Sequence, residues 1–479
     1  MSEKWYLELS EETGSHKFYE VIVDGSDLSI RYGRIGDNGQ TSKKTFETPE
    51  KAKAEGEKKI KDKKKGGYAE AVSGERKKRA VTRRVLAEAS ASEVKAASGT
   101  KKAPVLWKFA TKVMAFGICV TPSRVWIGNE DGKVFALSLE GTVEAEFKLP
   151  AGVKCIIEDG DFVYAGCNDG NVYDVNSKVP RVAYEIAEDV DIYWLDIHDA
   201  LLAISDQKGT LTLVDHNDEF VWTVEGEGKY GWMVRADAGQ VYHGHSDGIT
   251  AYNTGTGQKS WNHKTTGAVL FGWQSKEFAY GGLSSQRVEV LDKKTGTLVA
   301  TAKCDASVFS NAASDDGKYI FAGDSVSSVY CFKSDGERLW KLATTCGAAL
   351  SMQYHNERVY IVTRDGSLAC IDASEAAIEA AIQGNVPEII NIKAPANLVA
   401  SAPAPVQTTS DSSAGVILEC FADGAKLRVR VVSPGFDSSW AVQFPSDIRE
   451  AGAKYVAEEV RESARGGFYR AYGDIRKLI

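Results

Sequence analysis

The sequence predicts a mainly-β chain in three folded parts: a small α+β head, a ring of seven four-stranded blades, and a small α+β tail. Three observations predict it. A strand–turn–strand unit recurs seven times after residue 105, with turn glycines about 39 residues apart. A basic segment stands before the repeats, and a Pro/Ala/Ser/Thr-rich stretch follows them. The parts run 1–72 (head), 73–104 (basic linker), 105–384 (ring), 385–415 (linker) and 416–479 (tail).

Composition agrees with a folded chain. Of 479 residues, 43 % are hydrophobic and 26 % charged, which excludes a wholly disordered or collagenous protein. Glycine is abundant at 45 and proline scarce at 11, favouring tight turns over Pro-rich disorder. No apolar run nears the roughly 18–20 residues that cross a bilayer. The first residues are charged, with no apolar leader. The eight cysteines show no C-x-x-C spacing and mostly sit in apolar stretches. They read as buried thiols of a reducing cytoplasm, and a cytoplasmic location is expected. Residues 1–104 hold 23 Lys+Arg against 17 Asp+Glu, and the remainder 35 against 49. A polyanion would therefore meet the head.

In the head, Trp5–Leu9 alternates in polarity and Lys17–Val23 reads as a strand. Asp24-Gly25 turns the chain into Leu28–Tyr32. Tyr32-Gly33-Arg34-Ile35-Gly36 follows, then the turn Asp37-Asn38-Gly39-Gln40 and the strand Lys43–Phe46. Thr48 as N-cap, Pro49 at the first helical position and Glu50 in the first turn open a helix that Gly66-Gly67 ends. Residues 4–70 resemble a WGR domain, the module named for Trp-Gly-Arg and found in DNA-dependent poly(ADP-ribose) polymerases and bacterial molybdate-regulator-type proteins. The motif stands here as Tyr32-Gly33-Arg34, with tyrosine in place of tryptophan. In the polymerases it touches the DNA backbone near a strand break, so the resemblance implies nucleic-acid contact by Tyr32 and Arg34.

The chemistry suits that role. An aromatic ring stacks on a base or sugar, and arginine grips a phosphate with two bonds. Gly33 admits close backbone approach, and Lys43 and Lys44 add phosphate contacts. Tyr32 and Arg34 as packing and ion-pairing residues of a small sheet is the competing reading. Residues 50–85 carry 14 Lys+Arg against 6 acids, densest at Lys58–Lys65 and Arg76–Arg84. This is either an electrostatic footprint for phosphates or a solvated helix face and linker.

The repeats begin at Val125–Leu137 and end at Val359–Ile371. Gly132, Gly170, Gly209, Gly248 and Gly366 mark the turns. A unit of about 40 residues with four strands is one propeller blade, and seven turns give seven blades. Trp222, Trp261 and Trp340 sit in strands after the hairpins. The seventh repeat lacks such a strand, and Val105–Phe109 is expected to supply it and close the ring. The repeats resemble PQQ-like and WD40-like propellers. Quinone-dependent dehydrogenases of that superfamily are usually eight-bladed and need a cofactor bed, a calcium site and a catalytic carboxylate. That set cannot be assembled here, so no catalytic residue, cofactor or metal is expected. His243 and His245 share one side of a strand and read as half a metal site or as structural hydrogen bonders. The transferase domain of the polymerases is not found.

After the last repeat, residues 374–384 read as a short helix. Val416–Phe421 and Lys426–Val432 read as a hairpin, Trp440–Phe444 as a strand and 454–464 as a helix. Arg465-Gly-Gly-Phe-Tyr-Arg470 is either a surface turn or a nucleic-acid contact. The expected function is a non-enzymatic adaptor, its head on nucleic acid, at DNA ends or breaks, and its propeller on a protein partner, with no membrane. The alternative is a protein-interaction scaffold without nucleic-acid binding.

Overall fold

The computed structural model describes residues 3–10, 16–34, 40–70, 101–186, 192–413, 415–424 and 426–479. The Arg76–Arg84 run, most of linker 73–104, Ile35-Gly36 and the turn at 37–39 lie outside them. The chain divides into two compact units, the head and a body that holds ring and tail.

The head is a five-stranded sheet with one helix. Strands β1 (Glu3–Ser10), β2 (His16–Asp24), β3 (Asp27–Arg34), β4 (Gln40–Thr45) and β5 (Ala69–Glu70) lie in the order β4-β3-β2-β1-β5. Helix α1 (Pro49–Lys65) starts as expected, with the Thr48 side chain accepting from the Lys51 amide. Its apolar stripe, Ala52, Gly56 and Ile60, covers Leu7, Val21, Val23 and Leu28. Gly56 is needed for that approach: a Cβ there would stand 3.0 Å from Val23 Cγ2.

The body carries, among the described residues, seven antiparallel blades. Six are meanders over 115–148, 153–185, 192–225, 233–264, 269–303 and 308–343. The seventh joins 349–372 to Val105–Ala110, antiparallel to Ser367–Asp372. The innermost strands touch in sequence, and that of blade 7 (Ala349–His355) meets that of blade 1 (Ala115–Val120), closing the ring. Gly132, Gly170, Gly209 and Gly366 hold φ between +78° and +87°, as their turns require.

The closing strand is used as its relatives are. Trp222 and Trp261, on the outer strands of blades 3 and 4, lie against the turn glycines of the following blades. A Cβ on Gly257 would come 2.9 Å from Trp222, and one on Gly296 2.6 Å from Trp261. Trp107 makes the same contact across the closure, 3.1 Å from a Cβ on Gly141 of blade 1. Cross-blade side-chain bonds add a belt. Gln353 of blade 7 donates to Ile118 O of blade 1 at 3.0 Å, and Asp196 of blade 3 accepts the Ala236 amide of blade 4 at 2.8 Å.

Two expectations for the C-terminal part are corrected. Residues 385–415 are no free linker but a strap along the blades. After the helix Glu375–Gln383, Ile390–Ile392 adds a parallel strand to Val105–Ala110. Ser401 then bridges Phe147 of blade 1, and Ala404 O accepts from Arg181 of blade 2. Residues 454–464 are not helical: Lys454–Glu462 is a strand. A bulge between Ala457 and Glu459 shifts the inward phase, so inward Tyr455, Ala457 and Val460 break the strict alternation of a strand. The tail therefore has no α-helix among its described residues. Val416–Asp423, Lys426–Val431, Ala441–Gln443, Lys454–Glu462 and Phe468–Leu478 form its sheet, with Thr408–Thr409 of the strap as a sixth strand parallel to the last. The first four lie in the order 4-1-2-3 of a Greek key. The fifth pairs parallel to the third and antiparallel to the fourth, closing a small barrel.

Candidate nucleic-acid interface

Hairpin register decides what meets Tyr32. The turn pairs Asp24 with Asp27, so Tyr19 stands opposite Tyr32, and β4 places Gln40 on its other side. The Tyr19 and Tyr32 rings stack with centroids 6.2 Å apart, and Tyr68 meets Tyr19 edge-on at 6.3 Å. Lys63 Nζ sits 4.7 Å from the Tyr19 ring centre and 5.1 Å from that of Tyr68. Tyr19 is buried, while Tyr32 is 43 % exposed and donates its hydroxyl to Gln40 Oε1 at 3.2 Å. Burial, then the neighbouring Tyr32 and Tyr68, pushes the Tyr19 hydroxyl up from its ordinary range. The outcome is an open aromatic ring backed by a second ring, and that second ring carries an ammonium.

The expected residues do not all converge. Gly33 follows Tyr32 on β3, opposite Phe18, and Arg34 ends the strand opposite Lys17. The Arg34 side chain lies outside the described part. Lys44 pairs with Leu28 and shares the face of Tyr32, four residues or about 13 Å along β4 from Gln40. Lys43 pairs with Ser29 and belongs to the opposite face, that of Arg31. There Arg31 lies over the Phe18 ring at 4.9 Å and bonds Glu20 at 3.0 Å. Burial would raise the Glu20 carboxyl, but Lys4 and Arg31 hold it below its usual range.

The helix supplies free charge. Lys53, Lys59 and Lys64 pair with Glu3, Glu55 and Glu70. Lys58 and Lys61 are exposed with Lys65 at spacings of three and four, opposite the buried stripe, and form no ion pair among the described residues. Sequence reasoning missed Tyr19, Tyr68 and Gln40 as site residues, and gave Lys63 only as one of the Lys58–Lys65 run.

The other candidates lie packed within the body. His243 and His245 are fully buried on one strand with rings 5.5 Å apart. His245 uses both ring nitrogens, on Thr250 Oγ1 at 2.9 Å and the Asp247 amide at 3.2 Å. Only His243 would remain for an ion. The Arg465–Arg470 segment is spent on the ring: Arg465 pairs with Asp199 at 2.9 Å, and Phe468 stacks on His216 at 3.8 Å. The propeller axis is filled by side chains such as Phe116, Trp194, Arg235 and Phe271, leaving about 10 Å³, room for one water at most. All eight cysteines are buried and unpaired. No helix among the described residues is long and apolar enough to cross a membrane.

Comparison with known proteins agrees. Residues 3–75 match the WGR domain model, and residues 284–380 match the model described as outer membrane protein assembly factor BamB. Two similar solved structures are the computationally designed Ika8 protein and the WD40 beta propeller domain of Doa1. The first is 13 % identical, with TM-score 0.48, covering 57 % of this chain and 99 % of that one. The second is 11 % identical, with TM-score 0.48, covering 57 % and 98 %. No curated protein matches the chain. A WGR domain precedes the seven-bladed propeller formed by the sheets described above.

Proposed function

We propose that the chain is a non-enzymatic adaptor whose WGR domain binds nucleic acid, at DNA ends or breaks, and whose propeller docks a protein partner. The observation that carries this reading is the open Tyr32 ring, stacked on Tyr19 beside Lys63, inside a domain that matches the WGR model. Unpaired bases at an end offer such a ring a stacking partner. Lys58, Lys61 and Lys65 supply the sequence-independent grip on phosphates. For the propeller, the outer strands of blades 3 and 5 expose Phe220, Val221, Leu298 and Val299, suited to a partner's apolar surface.

The test is fluorescence anisotropy of the full chain with intact, nicked and single-stranded DNA at low and moderate salt. Preference for nicked or single-stranded DNA with a steep salt slope is expected. No binding at low salt would overturn the reading. It would favour a scaffold with Tyr32 as a packing residue, for which its stacking and its bond to Gln40 would then suffice.

A further inference from the structure

A cleft of about 270 Å³ opens between blade 2 and the C-terminal barrel. Phe162 and Asp174 line it from the blade, Gln443, Tyr472 and Arg476 from the barrel, and Pro405 from the strap. The space is just under the roughly 300–1,000 Å³ of pockets for drug-sized ligands, so its occupant is smaller.

Two buried polar atoms here lack partners, and a carboxylate beside them lacks a cation. Gln443 is 8 % exposed, and its amide nitrogen donates to the Tyr184 hydroxyl at 2.9 Å and that of Tyr164 at 3.3 Å. Its buried Oε1 accepts from nothing. Arg476 Nε is buried and donates to nothing. Asp174 stands opposite Tyr164 in blade 2, accepts the Asn176 amide at 2.8 Å, and meets no cation within ion-pair distance among the described residues. Burial pushes its carboxyl up to about 6. The neighbouring charges are already matched: Arg470 with Asp159, Arg181 with Asp447 and Lys178 with Asp474. What remains is a carboxylate without a cation, an amide oxygen that wants a donor, an arginine Nε that wants an acceptor, and an aromatic wall. A simple cation would leave Arg476 unmet, and a simple anion would meet Asp174.

We propose that this cleft binds a free apolar α-amino acid. Its ammonium lies on Asp174 and Gln443 Oε1, its carboxylate on Arg476, and its side chain on Phe162 and Tyr472.

The test is calorimetric titration of the full chain with L-leucine and L-phenylalanine, beside N-acetyl-L-leucine and L-leucinamide, which each lack one charge. One-to-one binding of a free amino acid is expected, with both capped forms at least tenfold weaker. Arg476→Gln should weaken L-leucine at least tenfold and leave L-leucinamide unchanged. Asp174→Asn should do the converse, sparing N-acetyl-L-leucine. Absence of binding at about 10 mM, a concentration that detects millimolar affinity, would overturn the proposal. So would capped forms that bind as well as the free acids. The capped series needs no substitution, so it stands even where a variant fails to fold.

Discussion

Arg470, on the last strand of the barrel, reaches Asp159 on blade 2 with Nη2 2.7 Å from Oδ2, both side chains 6 % exposed. The same guanidinium lies 4.1 Å over the Phe162 ring. Asp159 also accepts the Asp199 amide at 2.6 Å and the Ala200 amide at 2.7 Å, in blade 3. One carboxylate thus ties two blades and the barrel together.

Removing one partner of a buried ion pair strands the other charge, at about 3–5 kcal/mol. Arg470→Ala should lose stability in that range, and Asp159→Ala at least as much, because two amides lose their acceptor too. Hydrogen exchange of the barrel strands, read beside thermal melting, checks this: the barrel should open first in Arg470→Ala.

Stacking on an aromatic is worth about 1–3 kcal/mol per base, so Tyr32→Ala should weaken single-stranded or nicked DNA about 5- to 150-fold. Arg34→Ala should weaken both and intact duplex alike if it holds a phosphate. Anisotropy titration measures each, and unchanged affinity for both variants would count against the site.

Each phosphate contact contributes about 0.9 to the slope of log affinity against log salt on duplex DNA. Lys58→Gln, Lys61→Gln and Lys65→Gln together should flatten the slope by up to about 2.7. Lys43→Gln, on the other face of the sheet, should leave the Tyr32-dependent binding intact.

Trp107→Ala should cost about 3–5 kcal/mol, the usual price of deleting a buried large aromatic. It empties the contact with Gly141 at the ring closure. Differential scanning calorimetry should show a lowered propeller transition.

Burial, reinforced by His245, lowers His243 to about 3, so the folded chain holds it neutral. The unfolded chain binds that proton near pH 6.5. Its stabilising contribution is therefore complete above about pH 6.5 and falls, by up to about 1.4 kcal/mol per pH unit, as pH drops towards 3. Glu158, raised to about 7 by burial and then by Asp159 and Asp161, acts in the opposite sense. The check is thus the difference between denaturation profiles of the unaltered chain and His243→Phe. The stability of the unaltered chain minus that of His243→Phe should fall on acidification.

The ring was legible because its repeat is written in turn glycines and outer-strand tryptophans, which local geometry enforces. Tyr19 was missed although the Asp24-Gly25 turn lay close to it: once Asp24 pairs with Asp27, the register puts Tyr19 opposite Tyr32. Tyr68 was not legible, since only the packing of α1 returns it to the sheet. The opposite faces of Lys43 and Lys44 follow from strand period alone. Lys454–Glu462 misled because its bulge breaks that period. The strap misled because Pro/Ala/Ser composition describes solvation and not the free edge of Val105–Ala110 that Ile390–Ile392 covers.

The closure also sets the order of events during synthesis. Val105–Ala110 leaves the ribosome before any blade, yet its partner Ser367–Asp372 follows about 260 residues later. At roughly 5–20 residues per second, that strand waits about 10–50 s with both edges bare. Throughout that interval the nascent chain carries an unpaired apolar strand, whose bare edges are open to pairing with another chain.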